Sequence, residues 1–329
     1  MITVLKSGLL TTVQDLGRPG FQQYGIVVGG ALDAFAARVV NLLVGNDDNA
    51  AVIEMAQTGP ELRFAAETLV AWGGADFAPR IGAEPLPRDR AVRVAAGETL
   101  SFDFAKTGMR AWLAVAGGID VPLVMGSRST YRRAGIGGLE GRAFLAGDNL
   151  NVGAPSERAK QILASLRATQ ARATTWTVRP ETMGKAAAAG VVRAMRGPEW
   201  NWFTPAAQQA FFGTDWLATK EADRMGVRLE GPALELLKPR EMISSSVNTG
   251  VVQVPPAGQP IVLLPSRQSV GGYPRIAAVA AVDWRRFTQL RPADTVRFEE
   301  ITLAAAHELY LARERDLTRV RLGLSRFSP

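Results

Sequence analysis

Short apolar runs closed by glycine, proline or aspartate recur along this chain, and that punctuation constrains the fold more than any other feature. ETLVAWGG (67–74), RAVRVAAGETLSFDF (90–104), MRAWLAVAGG (109–118), GQPIVLLPS (258–266) and ADTVRFEEI (293–301) each set strand-forming residues between turn formers. The pattern predicts a mainly β chain with some α structure. Short helices are expected where a capping residue precedes an apolar run: Asp33 before AFAARVVNLLVG, Thr204 with Pro205 before AAQQAFFG, and Asp283 before WRRFTQL. A side-chain oxygen at such a point accepts from backbone N–H groups that the first helical turn leaves unpaired.

A chain of 329 residues exceeds the roughly 100–200 residues of one ordinary domain. The polar, helix-forming stretch SERAKQILASLRATQARA (156–173) separates two β-rich halves. The expected organisation is an N-terminal barrel-like unit over 1–155, a helical or polar linker over 156–190, and a C-terminal β unit with a terminal helix over 191–329. AGETLSFDF (96–104) and PADTVRFEE (292–300) share a turn, an acidic residue, Thr and an alternating strand, an echo of the kind two related halves leave.

Composition narrows the chemistry. With no cysteine and one histidine, disulfides, thiolate metal sites and cysteine nucleophiles are removed, and no metal site is expected. His307 lies in ITLAAAHELYLARERDL, where a partly exposed helical position accounts for it. The net charge of +7 comes from dispersed basic residues with no dense run interleaved with aromatics, so no nucleic-acid partner is expected. Much of the excess falls at Arg158, Lys160, Arg167, Arg172, Arg179, Lys185, Arg193 and Arg196, which also suits an acidic partner surface. No apolar run approaches the ~18 residues of a membrane span. MITVLKSGLLTTVQDLGRPG reads as a first strand rather than a signal peptide. A cytoplasmic protein without a membrane partner is the expectation.

Nucleotide-binding signatures are missing. Gly184-Lys185 is followed by Ala186 where a phosphate loop needs Ser or Thr. GIGGLEG (135–141) lacks dinucleotide spacing and a βαβ context, and reads as a tight turn between strands. No Met-Lys-Met biotin attachment sequence exists, so any biotin must arrive on another chain.

Four polar, glycine-rich clusters remain. TTVQDLGRPG offers Gln14, Asp15 and Arg18 in a rigid loop, with a turn capped by Asp15 and bridged by Arg18 as the plain alternative. GSRST (126–130), followed by YRRAGIGG, concentrates hydroxyls, arginines and glycines suited to a carboxylate or phosphate, or to a solvated loop. In ADRMGVRLEGP (222–232), Asp223 and Arg224 converge only if the chain bends there, because neighbouring strand residues face opposite ways. VVQVPPAGQPIVLLPSRQSVGGYPRIA (251–277) is the most informative. Gln253, Arg267, Gln268 and Tyr273 sit just outside apolar strands, where functional loops are carried. There a guanidinium pairs with a carboxylate, a carboxamide reads an amide or ureido group, and a phenol donates a proton. A hairpin turn with a packed tyrosine is the alternative.

These clusters, together with GALDAFAARVVNLLVGN and AVAGGIDVPLVMGSRSTY, resemble the biotin-dependent carboxyltransferase-domain family, the allophanate-hydrolase subunit 2 type that includes the C subunit of 5-oxoprolinase and KipA. The resemblance runs over nearly the whole chain. It implies two tandem cyclophilin-like β-barrel units with short helices. It also implies partners: a KipI-like B subunit, and a LamB/YcsF-like, TIM-barrel-like A subunit. With these the complex opens 5-oxo-L-proline to L-glutamate at the expense of ATP. Two other roles follow from the same resemblance: carboxyl transfer from carboxybiotin on another chain within a urea carboxylase or urea amidolyase-like system, and non-catalytic regulation of a KipI-like protein.

On the first role, Arg267 and Arg224 bind a carboxylate, Gln253 and Gln268 read the amide of a small amide or ureido substrate, and Gln14 and Arg18 contribute further binding groups. Asp15, Asp223 and Tyr273 are the candidate acid/base groups. The chain departs from the family pattern at three places. Glu199-Trp200 follows Gly197-Pro198 where Gln-Asp is common, Ser266 and Val270 stand in the Asp-Arg-Gln-Thr-Thr-Gly-Gly-Tyr-Pro stretch, and Ile243-Ser244-Ser245-Ser246 replaces Ile-Ser-Glu-Gly.

Overall fold

A computed structural model of the chain describes residues 1–178 and 190–326, without the side chains of 325 and 326. Arg179 and the Gly184-Lys185 pair lie outside the described residues. Those described divide into two compact units, one of 1–18, 29–178 and 317–326, the other of 19–28 and 190–316.

The first unit is built from two sheets. One runs Ile119–Asp120, Asn149–Val152, Ile2–Lys6, Glu61–Phe64, Thr99–Ser101, Arg80–Ile81 and Glu84–Pro85; the other runs Leu10–Gln14, Val52–Ala56, Thr107–Val115, Thr68–Asp76 and Val92–Val94. Val4, Val13, Ile53, Leu62, Phe64 and Leu113 from both sheets meet in one buried core, which removes their apolar surface from water. The segment 90–104 is not one strand. A turn at Ala95–Glu98 breaks it, the Glu98 carboxylate accepting from the Ala95 N–H at 2.7 Å, so Val92–Val94 joins one sheet and Thr99–Ser101 the other.

Helix α1, Ala34–Leu43, begins as expected at Asp33, which accepts from the Ala36 N–H at 3.0 Å. It is buried on most of its surface, and its Asn41 side chain spans to the Ala50 carbonyl at 2.8 Å. Helix α2, Glu157–Ala168, is capped by Ser156 and buries Ala159, Ile162 and Leu166 in the first unit. Beyond it, the Thr174 N–H donates to the Ala91 carbonyl, so the chain up to this point stays tied to the same unit.

In the second unit the strands close into a barrel. Around it stand Val191–Arg196, Arg275–Val279, Val251–Gln253, Ile261–Leu263, Gly226–Glu230, Asp215–Ala222 and Thr295–Glu300. The last strand closes the ring by pairing parallel with the first, Val192 opposite Phe298, while the other pairs are antiparallel. Alternation decides which side chains fill it: Trp216 and Ala218, and Val296 and Phe298, are buried while their neighbours along the strand face outward. Phe298 stacks on Phe211 of helix α3, Pro205–Gly213, with centroids 4.5 Å apart.

Helix α3 starts at Thr204, whose hydroxyl accepts from the Ala207 N–H at 3.1 Å. Thr204→Ala is expected to cost about 1 kcal/mol, measured as a lowered denaturation midpoint with an unchanged slope. Helix α4, Trp284–Phe287, starts where predicted but without its expected cap. The Asp283 carboxylate is turned instead to Arg193, accepting from Nε and Nη2 at 2.7 Å and from the backbone N–H at 3.0 Å. A buried guanidinium outcompetes a helix terminus because its desolvation is the larger cost to offset. Helix α5, Leu303–Arg326, ends the described chain, and His307 lies exposed on it. No helix among the described residues is long and apolar enough to cross a membrane.

Candidate functional site

In the first unit, the two polar clusters seen in sequence are one structure. Asp15 is buried, and its carboxylate accepts from four donors: the Gly17 N–H at 2.8 Å, the Ser127 hydroxyl at 2.6 Å, the Ser129 hydroxyl at 2.5 Å and the Arg128 N–H at 2.6 Å. The Asp15 N–H in turn donates to the Ser129 hydroxyl at 2.8 Å. The loop 126–130 is therefore tied to the loop 14–18 by charge-assisted bonds. Asp15 does cap the turn, at Gly17, but Arg18 turns elsewhere, donating to the carbonyls of Ser129 and Val124. GIGG packs beneath: Gly137 (φ +68°) leaves no room for a Cβ, which would lie 2.2 Å from the Ser129 carbonyl oxygen.

Three buried side-chain atoms of these loops have no hydrogen-bond partner among the described residues, Arg18 Nη1, Gln14 Oε1 and Arg128 Nε. Gln14 uses its amide N–H groups on the Thr12 hydroxyl and the Thr130 carbonyl. Burial lowers the Arg18 guanidinium below its ordinary value, with the Asp15 charge opposing that shift.

The second unit likewise merges the two clusters read separately. Asp223 and Arg224 occupy the bend between Asp215–Ala222 and Gly226–Glu230. The Asp223 carboxylate is exposed and holds the bend by accepting from the Met225 and Gly226 N–H groups at 2.7 and 3.1 Å. This turn docks on the loop 264–274, the Ser266 N–H donating to the Arg224 carbonyl at 3.1 Å. Against that loop, at the end of the strand Val251–Gln253, the Gln253 side chain is buried. It donates to the Tyr273 carbonyl at 3.3 Å and accepts from the Gln268 amide at 3.5 Å.

Arg267 is 5% exposed; its backbone N–H donates to the Leu264 carbonyl at 2.9 Å, and its side chain donates from Nε to the Val247 carbonyl at 3.2 Å. No carboxylate among the described residues neutralises it, and burial pushes the guanidinium below its ordinary value. Tyr273 exposes its ring, at 44%.

The family model for the carboxyltransferase domain, subdomains A and B, matches residues 24–300. This chain belongs to that carboxyltransferase-domain family. It is 39% identical over 306 residues to the C subunit of the Escherichia coli 5-oxoprolinase, covering 93% of each chain, and 35% identical over 321 residues to that of Haemophilus influenzae, covering 98% of each. Among solved structures it is similar to the Kluyveromyces lactis urea carboxylase, with a TM-score of 0.86 and 25% identity. That match covers 97% of this chain and 29% of the longer protein.

In this carboxyltransferase-domain chain the charge at Glu199 finds a partner. Arg275 donates to it from Nε at 2.8 Å, Nη2 at 2.7 Å and its backbone N–H at 3.0 Å, and reaches the Ser246 carbonyl from Nη1 at 3.3 Å. Sequence reasoning missed this pair, and it missed Ser127 and Ser129 as the ligands of Asp15. The GSRST run was the available signal for the serines. Nothing local marks Glu199, because Arg275 lies 76 residues away.

Proposed function

We propose that this chain is the C subunit of an ATP-dependent 5-oxoprolinase and acts with the A and B subunits to convert 5-oxo-L-proline to L-glutamate. The buried Arg267 guanidinium, without a carboxylate partner among the described residues, carries this reading. A buried cation of this kind is costly unless an anion reaches it, and the carboxylate of 5-oxoproline supplies that anion. The near full-length likeness to two 5-oxoprolinase C subunits supports the same assignment.

In this reading Arg267 holds the carboxylate and Gln253 with Gln268 addresses the lactam amide. Arg224, on the adjoining bend, adds to the carboxylate site. Ring opening adds water across the lactam C–N bond, and the nitrogen leaves as the amine after gaining a proton. Donors at the developing oxyanion and a positioned acid or base are what that step requires. Tyr273, with its exposed ring, is the candidate proton donor. Asp223 and Asp15 have carboxylates already engaged with N–H and hydroxyl donors, so their part is to hold loops. Gln14 and Arg18 are assigned to binding through their unpaired atoms. ATP is handled with residues of the partner chains, the KipI-like B subunit together with the LamB/YcsF-like A subunit.

The test is ATP-dependent glutamate formation by the purified chain, alone and with its cognate partners. Activity is expected only in the full mixture. Arg267→Ala is expected to raise KM for 5-oxo-L-proline roughly 10- to 100-fold, the loss of one charge-assisted contact, without preventing assembly. An assembled but inactive wild-type complex would overturn this reading. The fold likeness to urea carboxylase then favours carboxyl transfer from biotin on another chain.

A further inference from the structure

The short ribbon over Gln253 carries two hydroxyl groups without a use. Ser245–Ser246 pairs antiparallel with Val270–Gly271, Ser245 opposite Gly271 and Ser246 opposite Val270. The Val247 N–H donates to the Ser269 carbonyl at 3.1 Å, which extends the same register by one step. The hydroxyl oxygens of Ser245 and Ser269 are both buried and have no hydrogen-bond partner among the described residues. A hydroxyl withdrawn from water without a partner costs on the order of 1–3 kcal/mol, so two in one ribbon call for an explanation.

The direction of the Ser245 side chain follows from the register. A Cβ placed on Gly271 would lie 2.5 Å from Gln253 Nε2, so the side-chain direction at position 271 is toward the Gln253 carboxamide. In a β ribbon residues directly opposite one another share a face. Ser245 is directly opposite Gly271. The Ser245 hydroxyl therefore sits on the face turned to Gln253, and Ser269, in the bend just before Val270–Gly271, follows Gln268, whose carboxamide meets that of Gln253. Arg267 is anchored to the same ribbon through the Val247 carbonyl.

We propose that the Ser245 and Ser269 hydroxyls and the Arg267 guanidinium form a three-point clamp for the carboxylate of the substrate. The inference rests on the reading that the substrate is a cyclic amide bearing a carboxylate. Each hydroxyl donates to one carboxylate oxygen, and the guanidinium supplies the balancing charge. The absence of a side chain at Gly271 lets the ribbon close on Gln253 and brings the lactam and carboxylate contacts onto one floor. Ser245 and Ser269 are thus specificity-determining residues, selecting carboxylate-bearing lactams over 2-pyrrolidinone, the same ring without the carboxylate.

The experiment uses the assembled complex of the chain with its A and B subunits. Ser269→Ala and the double variant Ser245→Ala/Ser269→Ala are compared with wild type and with Ser269→Thr, which keeps the hydroxyl. Kinetics with 5-oxo-L-proline and calorimetric binding of 5-oxo-L-proline, 2-pyrrolidinone and inorganic phosphate are the readouts. The clamp predicts at least a tenfold rise in KM for the double variant, kcat within about threefold, a smaller rise for Ser269→Ala, and near wild-type values for Ser269→Thr. Binding of 2-pyrrolidinone should be the same in all four.

Unchanged KM in both alanine variants overturns the clamp. So does loss of phosphate binding with 5-oxoproline binding intact, since the site would then serve a phosphate. If wild type does not turn over 5-oxo-L-proline, the functional reading fails and the clamp is judged by calorimetry: a tenfold loss of 5-oxoproline affinity in the double variant upholds it, and no binding to wild type rejects it.

Discussion

Asp15→Ala is expected to destabilise the first unit by about 3–5 kcal/mol, because four donors lose their acceptor in one step and each buried donor left unpaired costs roughly 1–3 kcal/mol. The Gly17 and Arg128 N–H groups and the hydroxyls of Ser127 and Ser129 all converge on this carboxylate. Water entering the space left behind offsets part of the sum, which is why the expected total lies below the sum of the parts. Asp15→Asn keeps the shape and one acceptor oxygen but turns the other corner into a donor facing donors. It should fall between wild type and alanine.

Urea denaturation, with a shift in midpoint and no change in slope, is the measurement. A loss below about 1 kcal/mol in the alanine variant would mean that the two loops are held by other contacts. The same variants separate two roles for Asp15: a purely organising residue loses activity in proportion to the folded fraction, whereas an acid or base loses it while still fully folded.

The legible parts of this molecule are those whose cause lies within a few residues. Asp33 and Thr204 each cap a helix in the way their neighbours in sequence announce. The echo between 96–104 and 292–300 also has a physical basis. Glu98 accepts from the N–H of Ala95, and Asp294 from that of Arg291, so each acidic residue closes the turn that launches its strand. A third copy of the device, Asp148 on Leu145, passed unnoticed in AGDNLNV.

What did not read out depends on partners brought together by the fold. Asp283 carries a good capping signal, yet Arg193, 90 residues earlier, takes its carboxylate. Three of the four donors to Asp15 lie 112 to 114 residues beyond it. The four polar clusters were visible as clusters. That they form two structures follows only from hydrogen bonds across the fold, and that Ser245 lies opposite Gly271 follows only from strand register.

Glu199→Ala is expected to have the other large effect, about 3–5 kcal/mol, since it leaves the Arg275 guanidinium without its carboxylate in a site where Glu199 is 7% exposed. Burial alone would raise the Glu199 carboxyl; the bidentate Arg275 outweighs it and holds that carboxyl below the usual carboxylate range. The sign of the pH dependence follows. A carboxyl depressed by folding contributes its full stability above the unfolded value of about 4.3, and that contribution is lost as pH falls through the lower folded value.

The wild type should therefore lose stability on acidification below about pH 5 with a slope that Glu199→Ala partly abolishes, so the two converge at low pH. Equal slopes would show that the pair is not linked to folding. A functional consequence goes with the structural one. Arg275 also donates to the Ser246 carbonyl, and thereby fixes the ribbon that covers Gln253. Glu199→Gln, which removes the charge, keeps one acceptor for Arg275 and should cost less than alanine. Because it loosens a support rather than a substrate contact, its KM for 5-oxo-L-proline should rise less than in Arg267→Ala.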